Sequence, residues 1–169
     1  MRIININGPV NAGKSTVSKL LKDKLSAALF IEVDDLLSDE EQEFLGLSLQ
    51  AGWKERTRRL AEIIEKEKTK GTYENIIFAY PITADLYREW KSFEDSKTVF
   101  VNITLAPKLE ICLQNRGQRE LDEWEINRIK EMYREGCQNP SFSDLIIDNG
   151  TGTPKETVEI IMNYLQETL

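Results

Sequence analysis

Apolar residues gather in five short runs: Arg2-Ile-Ile-Asn-Ile-Asn7, Ala28-Leu-Phe-Ile-Glu-Val33, Asn75-Ile-Ile-Phe-Ala-Tyr80, Thr98-Val-Phe-Val-Asn-Ile-Thr104 and Asp144-Leu-Ile-Ile-Asp148. Each is short and rich in β-branched or aromatic residues, as strands buried in a parallel sheet are. Between them apolar positions recur at helical spacing: Val17, Leu20, Leu21 and Leu25; Trp53, Leu60 and Ile64 in a helix over 53–70; Leu86 and Trp90; Leu109, Cys112 and Leu113; a helix over about 121–134; and Val158, Ile161, Met162 and Leu165. Local signals mark the ends. Gly71 stops the helix before it, Thr83 caps the next, Pro107 opens the one after the fourth strand, and Thr153-Pro154-Lys155-Glu156 is a capping box with proline in the first turn. From Ser38 to Gly52 an acidic stretch gives way to Phe44, Leu45, Leu47 and Leu49, which fits no single period and reads as two short helices or a flap. Five strands alternating with helices predict an α/β fold: one doubly wound, five-stranded parallel sheet with right-handed crossovers and helices on both faces.

Composition narrows the class. A chain of 169 residues, 40% hydrophobic and 30% charged, is expected to be a single domain over 1–169 that buries roughly two-thirds of its unfolded surface. No stretch approaches the roughly 20 apolar residues of a membrane span. The apolar start runs straight into a glycine turn instead of a cleavage site, so the expected location is cytoplasmic with no membrane partner. Lys and Arg number 22 against 29 Asp and Glu, a net charge of −7 that disfavours nucleic acid as a partner. There is no histidine, which excludes His-based triads and His-liganded metals. Cys112 and Cys137 lack a metal-ligand spacing and are expected to be unpaired thiols. The composition leaves monomer and homodimer both open.

Between the first strand and the first helix lies Gly8-Pro-Val-Asn-Ala-Gly13-Lys14-Ser15-Thr16, a complete G-x-x-x-x-G-K-[ST] loop. Glycines at 8 and 13 let the backbone fold into a nest whose N–H groups, those of Asn11 and Ala12 among them, point at phosphate oxygens. The helix starting near Lys14 adds the positive end of its dipole. Lys14 is placed to reach the β- and γ-phosphates and Ser15 to ligate Mg²⁺, while Thr16 supports the loop or faces the α-phosphate. Gly8, Asn11, Ala12, Gly13, Lys14, Ser15 and Thr16 are therefore the expected nucleotide-binding residues.

The second strand ends in Asp34-Asp35. In open α/β sheets the ligand crevice lies outside the carboxyl ends of the strands, so these acids are expected to face the loop. A solvated turn or a helix N-cap is the alternative use of an Asp pair. Arg116-Gly-Gln-Arg119 places two arginines around a glycine between helices, where they could neutralise phosphate charge during transfer. Arg56, Arg58 and Arg59 are expected on a solvated helix face, unless one turns to the cleft to hold an anionic acceptor.

A GTPase would need Asn-Lys-x-Asp and Asp-x-x-Gly motifs that are absent, and an ATP-driven motor would want an acid where the third strand ends in Ala79-Tyr80. The combination of N-terminal Walker A loop, acid after strand two, arginine lid and capped C-terminal helix resembles the P-loop small-molecule kinases of the adenylate kinase, shikimate kinase and chloramphenicol phosphotransferase type. The resemblance covers the whole chain in layout, with only the loop highly specific. It implies a three-layer P-loop NTPase fold that transfers the γ-phosphate of ATP, with Mg²⁺, to a hydroxyl of a small molecule. By that resemblance Asp34 matches the acid that acts on the acceptor hydroxyl, Asp35 is the reserve for that role or for a water-mediated metal contact, and Arg116 and Arg119 close over adenine and phosphate as a short lid over 116–121. The acceptor would sit in the segment 38–70, with Asp34, Trp53, Arg58 and Tyr80 touching it. Phe78-Ala-Tyr-Pro-Ile-Thr83 lacks the glycine triplet of shikimate kinases and the acid and arginine of adenylate kinases, which disfavours both acceptors. A nucleoside or nucleotide kinase and a non-catalytic nucleotide-binding regulator are the rival readings.

Overall fold

The computed structural model describes residues 1–115 and 120–168. The apolar runs form β1 Arg2–Asn7, β2 Ala28–Ile31, β3 Asn75–Ala79, β4 Val99–Leu105 and β5 Leu145–Ile147. All pair in parallel, in the order β2-β3-β1-β4-β5. β1 is thus central, and it feeds the phosphate loop from the middle of the sheet.

The strand alternation splits the core into two layers. On one face Ile4, Ile6, Ile77, Val101 and Ile103 pack against Val17 and Leu21 of α1 (Lys14–Lys24), Ile129 of α6 (Glu123–Arg134) and Val158, Ile161 and Leu165 of α7 (Pro154–Thr168). On the other, Ile3, Ile76, Phe78 and Phe100 pack against Leu60 and Ile64 of α3 (Leu49–Lys70) and Trp90 of α4 (Ala84–Lys91). Helices therefore cover both faces, as the alternation predicts. No helix among the described residues is long and apolar enough to cross a membrane.

Boundaries shift where hydrogen bonding overrides pattern. β2 ends at Ile31, not Val33, because it is an edge strand whose ladder with β3 stops at Ile31 opposite Phe78. Without a ladder partner the backbone turns, Asp35 N–H donating to Glu32 O at 3.2 Å, and Val33–Leu36 becomes a 3₁₀ turn. The segment 38–52 divides into α2 (Asp39–Phe44) and the start of α3. Ser38 and Ser48 cap these helices by accepting from Glu41 N–H (3.1 Å) and Ala51 N–H (3.2 Å), which moves the long helix's start from Trp53 back to Leu49. The helix after Pro107 is a single turn, α5 (Leu109–Cys112). Asp122 begins α6 with a capping box to Glu125.

The close approach at Gly8 sets a stability prediction. Gly8 has φ +136°, and a Cβ there would lie 2.5 Å from the Leu105 carbonyl oxygen at the end of β4. Gly8→Ala should therefore cost about 1–3 kcal/mol in backbone strain before any clash is counted. Gly71→Ala is the control, with positive φ but no atom within 4 Å. In thermal melts Gly8→Ala should fall well below Gly71→Ala; equal melting temperatures would contradict the contact.

Candidate active site

The loop after β1 is shaped by Gly8 (φ +136°), Asn11 (+63°) and Gly13 (+90°). Positive φ at these three positions turns the backbone sharply through the loop, a geometry of the kind that forms anion-binding nests. Gly13 is the N-cap of α1 and gives no side-chain hydrogen bond, and the first turn holds no acid, so the helix's leading N–H groups are left for an anion. Lys14 Nζ donates to Pro9 O across the loop at 2.7 Å. Asn11 Nδ2 donates to Cys112 O and Gln114 O, both at 2.9 Å, so its side chain ties the loop to the end of α5 and only its backbone is offered to phosphate. Ala12 is buried, and its carbonyl accepts from Asn149 Nδ2 at 2.9 Å. Thr16 is exposed on the first turn of α1.

Across from the loop the 3₁₀ turn divides its acids. Asp34 and Asp35 are exposed, whereas Glu32, two residues before Asp34, is half-buried and near enough to the Ser15 hydroxyl for that group to lower its pKa. Sequence reasoning passed over Glu32 as strand interior. Its signal was an acid set in the apolar run Leu29-Phe-Ile-Glu-Val33, two residues before Asp34 and hence on the same side of an extended chain. Burial is the main cause that lifts the Glu32 pKa above its ordinary 4.5; the Ser15 hydrogen bond opposes it, Asp34 and Asp35 add to it, and Lys19 subtracts.

The folded state thus holds this proton more tightly than the unfolded chain does. What Glu32 contributes to stability is complete below 4.5 and is lost as pH rises through its raised value, so at neutral pH the buried carboxyl is a cost to the fold. Glu32→Gln should raise the melting temperature at neutral pH, by about 2–4 °C for each kcal/mol recovered, and change it little under acid conditions. A carboxylate kept at that cost beside a hydroxyl fits a divalent cation. Among the described residues no group of three or more His, Cys, Asp or Glu could hold a metal alone. Ser15 and Glu32 would therefore share Mg²⁺ with phosphate oxygens, its usual coordination in nucleotide sites. The same variant should raise the Mg²⁺ needed for nucleotide binding by roughly 10–100-fold. A lower melting temperature with an unchanged Mg²⁺ requirement would make Glu32 a structural partner of Ser15 only.

Asp34 opens on a cleft of about 400 Å³, lined also by Asp39 and Gln42 of α2, by Leu49, Trp53 and Arg56 of α3, and by Leu37 and Ser38. Trp53, an expected acceptor contact, is there. Arg58 is not: it sits on the exposed face of α3 and pairs with Glu55 at 2.7 Å and with Glu62. The arginine that reaches the cleft is Arg56, buried, donating from Nη2 to Leu37 O (2.8 Å) and from Nη1 to Gln42 Oε1 (3.1 Å). It lies one turn before Leu60 and two before Ile64, so the spacing that buries those two carries Arg56 inward and Arg58 outward. Tyr80 stands beside the cleft. Burial raises its pKa most, with Asp34 raising and Arg56 lowering it further.

A buried polar layer holds Tyr80 in place. Asn5 Oδ1 accepts from Tyr80 N–H (3.2 Å) and Asn7 Oδ1 from Ile82 N–H (3.1 Å), while their Nδ2 groups donate to Asn102 Oδ1 (2.9 Å) and Thr104 Oγ1 (2.8 Å). Two asparagines of β1 thereby join the segment after β3 to the strand that leads into Gly8. Arg116 and Arg119, the expected lid arginines, lie outside the described residues; beside them Asn115 Oδ1 accepts from Leu121 N–H at 3.1 Å. Cys112 is buried, and burial pushes the Cys137 thiol up to about 11 despite the nearby Lys14, which disfavours its thiolate at neutral pH.

No protein-family model matches the chain, and neither does any curated protein. Solved structures do. A shikimate kinase from Aquifex aeolicus is similar at 24% identity, covering 99% of this chain and 97% of that one, with a TM-score of 0.55. A sugar kinase from Janibacter sp. shares 18% identity over 98% of this chain and 95% of that one, with a TM-score of 0.70. The tunicamycin resistance protein of Deinococcus radiodurans shares 18% over 97% and 95%, with a TM-score of 0.60. At such identities the likeness is one of fold, and it extends over nearly the full length of each chain. With the phosphate loop rising from the central strand and the acids at the end of β2 beside it, the chain has the α/β fold of the P-loop small-molecule kinases.

Proposed function

We propose that this protein is an ATP-dependent phosphotransferase that moves the γ-phosphate to a hydroxyl of a small molecule. The observation that carries this reading is the division of labour after β2, where Glu32 stands near Ser15 of the loop while Asp34, two residues on, lines a second cleft. One turn thus touches a phosphate site and an acceptor site, which a binding module for nucleotide alone does not need.

In this reading the loop N–H groups and Lys14 bind and orient the phosphates, and Ser15 and Glu32 hold Mg²⁺. The cation supplies charge neutralisation at the phosphate oxygens when bound. Asp34 orients the acceptor hydroxyl and takes its proton late, as the hydroxyl oxygen bonds to the γ-phosphorus and the bond from that phosphorus to the β,γ-bridging oxygen breaks to release ADP. The test is ADP release with Mg-ATP across hydroxylated acceptors: nucleosides, nucleotides, sugars, shikimate, aminoglycosides and chloramphenicol. Release that requires one acceptor class supports the reading. Tight ATP binding with no acceptor-dependent release from any of them would favour a nucleotide-responsive regulator.

A further inference from the structure

Resting on the kinase reading, the acceptor cleft can be read for charge. Among the described residues its ionisable lining groups are Asp34, Asp39 and Arg56, two carboxylates against one guanidinium. That guanidinium is engaged within the protein. Nη2 binds Leu37 O and lies 3.7 Å from Asp39, Nη1 binds Gln42, and Nε is sealed from solvent with no hydrogen-bond partner. A buried guanidinium with an orphan donor is costly for a strut alone. It lines the cleft while anchoring Leu37, which lies between the two acids in the chain, and Gln42, three residues after Asp39. The other arginines of α3 are also engaged, Arg58 with Glu55 and Glu62, Arg59 with Glu41 and Glu55. None of the three α3 arginines turns an uncommitted guanidinium to the cleft.

The acids are placed differently. Asp34 is exposed, and the Asp39 side chain is fully so, its contact with Arg56 being too long for a hydrogen bond. Trp53, 40% exposed, lines the same cleft and offers an aromatic face. A carboxylate or phosphate entering here meets two like charges, and Arg56, the cation among the described lining residues, is already bonded within the protein, whereas hydroxyl and ammonium donors meet acceptors, and a cation gains from the indole face. We infer that the acceptor is a neutral or cationic hydroxylated molecule, any ammonium group being held by Asp39 against Trp53, and that carboxylate- and phosphate-bearing acceptors are rejected by charge.

The test uses the full chain saturated with a non-hydrolysable ATP analogue. Calorimetry compares glucosamine with gluconate, adenosine with AMP, and the aminocyclitol 2-deoxystreptamine with shikimate. The cationic or neutral member should bind at least about tenfold tighter in the pairs that bind, and Asp39→Lys, a change at a fully exposed side chain, should narrow or reverse the preference. Tighter binding of the anionic member, no discrimination in any pair, or an unchanged ranking in Asp39→Lys overturns the inference. Parallel ADP-release assays with ATP separate the two claims. Phosphorylation of an anionic acceptor keeps the kinase and removes the charge selection; charge-selective binding without release from any acceptor does the reverse.

Discussion

Asp34→Asn should lower acceptor-dependent ADP release by about 10²–10⁴-fold while leaving ATP affinity unchanged. The carboxamide keeps the shape of the carboxylate and one acceptor oxygen, so it can still touch the hydroxyl, but it cannot take the proton. On the kinase reading the cost falls on the chemical step, because Asp34 lies outside the loop and lines the cleft beside α2 and α3. Its exposed position keeps the effect on folding within about 0.5 kcal/mol, so a melting curve serves as the internal control. Asp35→Asn, one residue on in the same turn, should change the rate far less. If Asp35→Asn proves the crippling variant and Asp34→Asn the mild one, the two acids exchange roles; if neither slows release, no acid of this turn acts on the acceptor.

Lys14→Ala should weaken ATP binding and slow any remaining turnover by about 10²–10³-fold, the usual loss when a single donor to developing phosphate charge is removed. Lys14 arises from the first turn of α1, where the helix dipole already favours anions, so its removal subtracts a side-chain cation from that helix start and leaves the backbone loop in place. Stability should fall only slightly. Its hydrogen bond to Pro9 O is partly buried, a bond of a kind worth about 0.5–1.5 kcal/mol. Lys14→Arg should not restore function, since a planar guanidinium cannot replace a compact ammonium in a closed nest. Calorimetric ATP titration beside ADP release reads both effects, and full ATP affinity in Lys14→Ala would remove the loop from nucleotide binding.

The order of elements, the five-stranded parallel sheet and the phosphate loop were all legible in the chain, because each is written in local spacing. Apolar runs of strand length, helical stripes such as Val17, Leu20, Leu21 and Leu25, and the nine residues from Gly8 to Thr16 need no distant partner to be recognised. Caps at Thr83 and Thr153 were equally local, and the structure has both. What only the tertiary structure decided are relations between residues far apart in sequence. Glu32 meets Ser15 because an edge strand loses its ladder after Ile31 and turns beside the loop. Arg56 faces the cleft and Arg58 the solvent because α3 is docked on the sheet through Leu60 and Ile64, which fixes its rotation. Asn5 and Asn7 hold the segment carrying Tyr80 because neighbouring strands bring Asn102 and Thr104 level with them in register. Periodicity states which side chains share a face of their own element; packing alone settles what that face meets.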